Sequence, residues 1–147
     1  MGTKSQLKFN MLNTDLNFNA AYLGHSSIYS PDVNFHLIFN LVTKYYINSK
    51  NAISLFYSFK GPRSIVLKNN YGEILAKDID GYHMLDISYD VNLNGFLDLA
   101  FGCNNILNIQ NIDAETLISG FHNNESTGIP LSCGRYLYTS IKINLVK

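Results

Sequence analysis

One stretch of the chain concentrates side chains that can do chemistry: Asp90-Val91-Asn92-Leu93-Asn94-Gly95-Phe96-Leu97-Asp98. Calcium takes six to eight hard oxygens on a sharply turned backbone, and a glycine at position 95 permits such a turn. Asp90, Asn92, Asn94 and Asp98 can each supply a side-chain oxygen, which makes them a weak candidate metal set. The same string also reads as a β-hairpin. A three-residue loop at 94–96 sets Leu93 opposite Leu97, Val91 opposite Leu99, Tyr89 opposite Phe101 and Ile87 opposite Cys103. Each of these strand residues then meets an apolar partner, and Asn92 faces Asp98 beside Asp90 on the polar side. A two-residue loop would push Asp98 onto the apolar side instead. The hairpin explains the pattern without an ion, so neither a metal nor a cofactor is expected.

The string resembles the Asp-x-Asn-x-Asn-Gly loops of EF-hands and the nine-residue calcium loops of integrin-type propeller repeats. The first pattern breaks at its twelfth position, where Phe101 replaces the bidentate Glu. The second comes in sets, and here it occurs once. His25, His36, His83 and His122 are scattered, none at i, i+4 with another, so zinc has little support. Ser132 and Cys133 sit together in a loop that lacks the spacing of a nucleophile elbow. No glycine-rich loop is placed to cradle phosphate. No catalytic residue is assigned, and the chain is not expected to be an enzyme.

The elements that must position these residues belong to a chain of 147 residues and 16.6 kDa, the size of one domain, 1–147. Charged residues make up 15%, against about 25% in an average soluble domain. Eleven basic and eleven acidic residues cancel, which argues against a nucleic-acid binder. Asn is used instead, nineteen times. A surface without net charge has little self-repulsion and tends to associate. No apolar run approaches the length of a membrane-spanning helix. Residues 1–6 lack the apolar core of a secretory signal, so synthesis in the cytoplasm is expected. Without an oxidising compartment, Cys103 and Cys133 are expected to stay unpaired.

Most of the chain alternates apolar and polar residues with the period of a strand. Leu7, Phe9 and Met11, then Leu16, Phe18, Ala20 and Tyr22, suggest an opening hairpin turning at 13–15. Ile53, Leu55, Tyr57 and Phe59 form another one-faced strand. Residues 64–68 and 73–78 flank a turn at 69–72, and a last strand carries Leu137, Thr139, Ile141, Ile143 and Leu145. Two segments read as helices. In 31–47, Ser30 suits an N-cap, Pro31 the first helical position and Asp32 the positive helix end. Phe35, Ile38, Phe39, Leu41, Val42, Tyr45 and Tyr46 then cover one helical arc. Strand alternation through Val33, Phe35, Leu37, Phe39 and Leu41 fits as well, and the start signals favour the helix. In 113–122, Asp113 caps and Leu117, Ile118 and Phe121 form the stripe. The fold class expected is α+β, a twisted antiparallel sheet packed on one long helix with a short second one. The alternative is an all-β sandwich.

The string running from Asn34-Phe35-His36-Leu37-Ile38-Phe39-Asn40 to Tyr57-Ser58-Phe59-Lys60-Gly61-Pro62-Arg63, set in an Asn-, Ile- and Tyr-rich texture, resembles the smallest OrfX proteins of clostridial, botulinum-type neurotoxin gene clusters. The resemblance implies a non-toxic, non-enzymatic accessory protein of the tubular lipid-binding superfamily. It implies a larger OrfX protein as partner, a lipid as ligand class, and release together with the toxin complex. It fixes no binding residue. The competing functional class is a carbohydrate-binding β-sandwich using exposed aromatics, with calcium as a stabiliser.

Overall fold

The computed structural model describes residues 2–27, 30–68, 74–93, 95–112, 114–116 and 129–145. Twelve strands and no helix run through these residues: β1 (Gly2–Met11), β2 (Thr14–Ser27), β3 (Ser30–Tyr46), β4 (Asn51–Lys60), β5 (Arg63–Lys68), β6 (Ile74–Ile79), β7 (Tyr82–Leu93), β8 (Leu97–Asn104), β9 (Asn111–Ile112), β10 (Ala114–Thr116), β11 (Ile129–Pro130) and β12 (Tyr136–Ile143). Seven of them form one antiparallel sheet in the order β1-β2-β3-β4-β7-β8-β12. Two small sheets, β10-β6-β5 and β11-β9, account for the remaining strands of the described residues.

The fold is therefore all-β, which corrects the α+β expectation. The long helix expected at 31–47 is the 17-residue strand β3. Ser30-Pro31-Asp32 does not start a helix; it is the entry to a strand, a place that tolerates proline because its missing N–H costs least there. Lateral pairing decides between the two periods that the segment satisfies. In the strand, Leu41 lies between Phe18 and Tyr57, and Phe39 between Ala20 and Phe59. A helix would leave those neighbouring rows unmatched, and context of this kind overrides terminal signals worth about 1 kcal/mol. The short second helix is corrected as well. Ala114–Thr116 pairs with β6 as strand β10, while Asp113 and residues 117–122 lie outside the described residues. The turn expected at 69–72 also lies outside them, although β5 and β6 do pair on either side of it. The opening hairpin turns at Leu12 and Asn13, one position earlier than expected, with Met11 opposite Thr14 and Leu12 in the left-handed region at φ 46°.

Side chains alternate across a sheet, so register assigns each residue to a face. One face collects Lys4, Lys8, Asp15, Lys44, Lys60, Asp86, Asp90, Asp98 and Lys142, together with Asn, Gln and Ser. At one end of this charged face the small sheets pack down. Ile79 of β6 and Ile112 of β9 bury themselves with Tyr82, and Met84, Ile109, Ile129 and Leu131 close around them. Among the described residues, Ala52, Ile79, Tyr82 and Ile112 are the only buried hydrophobic ones. Among the described residues, none forms such a layer on the opposite face.

Candidate functional site

The hairpin at 94–96 has the register read from the sequence. Leu93 pairs with Leu97, Val91 with Leu99, Tyr89 with Phe101 and Ile87 with Cys103. Gly95 takes φ 72°, a conformation that a glycine adopts without strain. Asp90, Asn92 and Asp98 share the charged face; Asn94 lies outside the described residues. Their oxygens are already engaged. Asn92 Nδ2 donates to Asp98 Oδ1, and Asn92 Oδ1 accepts the Gly95 N–H at 3.0 Å. Asn144 Nδ2 donates to Asp98 Oδ2 at 3.0 Å. Asp90 Oδ2 accepts the Ser54 hydroxyl at 3.1 Å and lies 3.3 Å from Lys44 Nζ. Amide donors and an ammonium point into the place where a cation would need oxygens. These residues line a hollow of about 420 Å³ with Lys44 and Lys142 on its walls, and its chemistry is that of a hydrogen-bonded hairpin.

Asp98 carries a testable signature of this network. The hydrogen bond from Asn144 holds its carboxyl below the usual carboxylate range, with help from Asn92 and the Lys142 charge, against a desolvation effect that opposes them. A depressed folded-state value contributes stability that is present above the unfolded pKa and lost as pH falls through the folded one. Thermal stability is expected to fall from about pH 5 downward, and more gently in Asp98→Asn than in the parent. Parallel acid profiles for the two proteins would show that the network carries no such linkage.

The second candidate is the apolar face of the large sheet. Alternate positions contribute Leu7, Phe9 and Met11 from β1, Leu16, Phe18 and Tyr22 from β2, and Phe35, Leu37, Phe39 and Leu41 from β3. The same face continues with Ile53, Leu55, Tyr57 and Phe59 of β4, then Leu85, Ile87 and Tyr89 of β7. It ends with Leu99 and Phe101 of β8, and Leu137, Ile141 and Ile143 of β12. No Asp, Glu, Lys or Arg falls on it among the side chains described. Phe101 is 48% exposed and Leu137 82%, values that follow from having neighbours in the sheet and none of the described residues above. The accessible surface of the chain, 10769 Å², exceeds the roughly 7,600 Å² expected for a compact monomer of this mass.

An aromatic row crosses this face. Tyr22 stacks on Phe35 with centroids 5.0 Å apart and ring planes 3° from parallel. Phe18, Phe39 and Tyr57 follow edge to face at 4.8 and 5.6 Å, and Phe59 stacks on His83 at 4.7 Å. The Tyr57 hydroxyl lies 2.6 Å from His83 Nδ1, and the Tyr89 hydroxyl donates to Asn51 Oδ1 at 3.1 Å. These polar atoms are therefore partnered within the face. Sequence reading picked out several of its strands and missed the face as a unit. The signal was present: in each of the seven strands the charges fall on one parity and the large apolar residues mostly on the other.

The remaining candidates come apart. His83 sits in the aromatic row, while His122 lies outside the described residues. Cys103 is half-buried on the apolar face and Cys133 is exposed in a loop; both are free thiols. Ser132 is tied to Ile109 O and to the Asn105 amide. Among the described residues, no group of three or more His, Cys, Asp or Glu is placed to hold a metal, and no helix is long and apolar enough to cross a membrane. Comparison with known family models, curated proteins and solved structures finds no match.

Proposed function

We propose that the chain is a non-enzymatic assembly subunit that works by laying the apolar face of its seven-stranded sheet against another protein surface. The observation that carries this reading is the face itself, which no described residue covers and on which none of the described charged side chains falls. Exposed apolar patches well beyond a few hundred Å² mark interaction surfaces. The accessory role implied by the OrfX resemblance accords with such a subunit, whereas the helix-centred architecture that came with it is set aside. The test is Leu37→Lys combined with Ile87→Lys: the double variant is expected to fold and to lose its association. Unfolding of the variant, or association equal to the parent's, would overturn the proposal.

A second reading is a carbohydrate-binding module. The all-β fold favours it over a helix-wrapped lipid-binding fold, and the exposed Tyr22–Phe35 stack offers a flat platform of the kind sugar rings rest on. On this reading a polysaccharide retards the protein in affinity electrophoresis, and Tyr22→Ala abolishes the retardation. Unchanged mobility across a panel of plant, fungal and animal glycans removes it.

A further inference from the structure

The assembly reading, on which this inference rests, leaves the occupant of the apolar face to be named. We infer that the occupant is a second copy of this chain, packed face to face so that two seven-stranded sheets form the two layers of one sandwich. Four observations lead there.

The first is size. Seven strands about 4.8 Å apart, averaging about eleven residues at roughly 3.3 Å per residue, make a face of about 1,200 Å². A stable protein–protein interface covers about 800 Å² on each partner, so one copy suffices to cover the other. The second is charge. A two-fold interface sets a surface against itself, and any charge on it then meets its own image or another like charge nearby. Among the side chains described this face carries none, while the described charges of the same strands lie on the other side. The third is desolvation. The Tyr57 hydroxyl is already paired with His83 Nδ1, and the Tyr89 hydroxyl with Asn51 Oδ1, so covering these four atoms leaves none of them unpaired. The fourth is shape. Two sheets with the same right-handed twist stack about 10 Å apart with strands roughly 30° from aligned, the standard packing of a β-sandwich.

The alternatives fit less well. Among the described residues nothing pairs with the outer edges of β1 and β12, and an open edge leaves backbone groups unsatisfied in a lipid interior. Those edges also carry Lys4, Lys8 and Lys142, which discourage edge-to-edge pairing.

Strand β4 is the fourth of seven, so a two-fold axis lying between the layers and through their centre brings β4 of one copy over β4 of the other. The experiment follows from this. Sedimentation equilibrium of the full chain over a wide concentration range is expected to give twice the 16.6 kDa chain mass. Leu55→Cys, made with Cys103→Ala and Cys133→Ser, is expected to cross-link into a covalent dimer with a short bismaleimide, and Thr3→Cys in the same background is not.

A dimer that cross-links through Thr3→Cys and not through Leu55→Cys is paired at its edges and overturns the inference. So does a chain that stays monomeric, forms larger polymers, or floats with phosphatidylcholine–phosphatidylglycerol vesicles. In a monomer, the parent's Cys103 separates the two ideas. Rapid labelling leaves the face open for a different protein, such as a larger partner, and only the second copy is excluded. Protection from labelling means that the chain covers its own face, and the assembly reading falls too.

Discussion

Asn105→Ala is expected to destabilise the fold by about 3–4 kcal/mol, lowering the melting temperature by about 10 °C. Asn105 is 1% exposed, and its side chain is used fully. Oδ1 accepts the Ile109 N–H at 3.0 Å, and Nδ2 donates to Ile109 O at 2.9 Å and to Ser132 Oγ at 2.8 Å. Its own N–H donates to Asp86 Oδ1 at 2.7 Å. These bonds fasten the segment after β8 to the segment before β12 and bring Ile109 and Leu131 to the cluster around Tyr82. Alanine removes three side-chain hydrogen bonds and leaves the partly buried Ile109 N–H without its acceptor, at about 1–3 kcal/mol. Asn105 also sits at φ 51°, a region where an ordinary side chain costs about 1 kcal/mol more than glycine. Asn105→Gly should therefore lose about 1 kcal/mol less than Asn105→Ala. Chemical denaturation of the three proteins measures both quantities. A loss below about 1 kcal/mol for alanine would mean that the side chain's bonds do not secure this junction.

That residue shows what sequence reading can and cannot reach. Asn104-Asn105 reads as ordinary polar punctuation, because nothing local distinguishes the second asparagine from the other eighteen. Its role comes from a left-handed backbone and from Ser132, 27 positions away. The hairpin at 94–96 is the opposite case. Two short strands with marked alternation admit one loop length that matches apolar rows, and that register is the one found. Segment 31–47 lies between these extremes. Phe35, Phe39 and Leu41 satisfy a helical arc and a strand face alike, and the choice is made by Phe18, Ala20, Tyr57 and Phe59 on the neighbouring strands. The candidate site has the same character. Several of its strands declare their apolar side by alternation, but the continuous face exists only because β7 pairs with β4 and the chain between them leaves the sheet. Strand order is a long-range property, so the site became visible with the topology.

Placing lysines at Leu37 and Ile87 should separate folding from assembly by a wide margin. Leu37 is 44% exposed and Ile87 38%, and they lie on strands β3 and β7 with β4 between them. In an isolated chain each lysine can rest its methylene stem on neighbouring apolar side chains and hold its ammonium in water. The folded chain then loses under about 1 kcal/mol for each, and the far-ultraviolet circular dichroism stays that of a β protein. In an assembly the same groups are sealed under a partner surface that offers no anion. An unpaired buried ammonium costs several kcal/mol, so two per chain weaken the interface by at least about 4 kcal/mol, roughly a thousandfold in dissociation constant. A control pair on the opposite face, Ser54→Lys with Ser140→Lys, adds the same charge and should leave association unchanged. This pattern of a folded monomer from the apolar-face pair and an intact assembly from the control pair is specific to an interface. If the apolar-face pair unfolds the chain, the face is interior to a single copy; if both pairs dissociate the assembly equally, added charge and not the face is responsible.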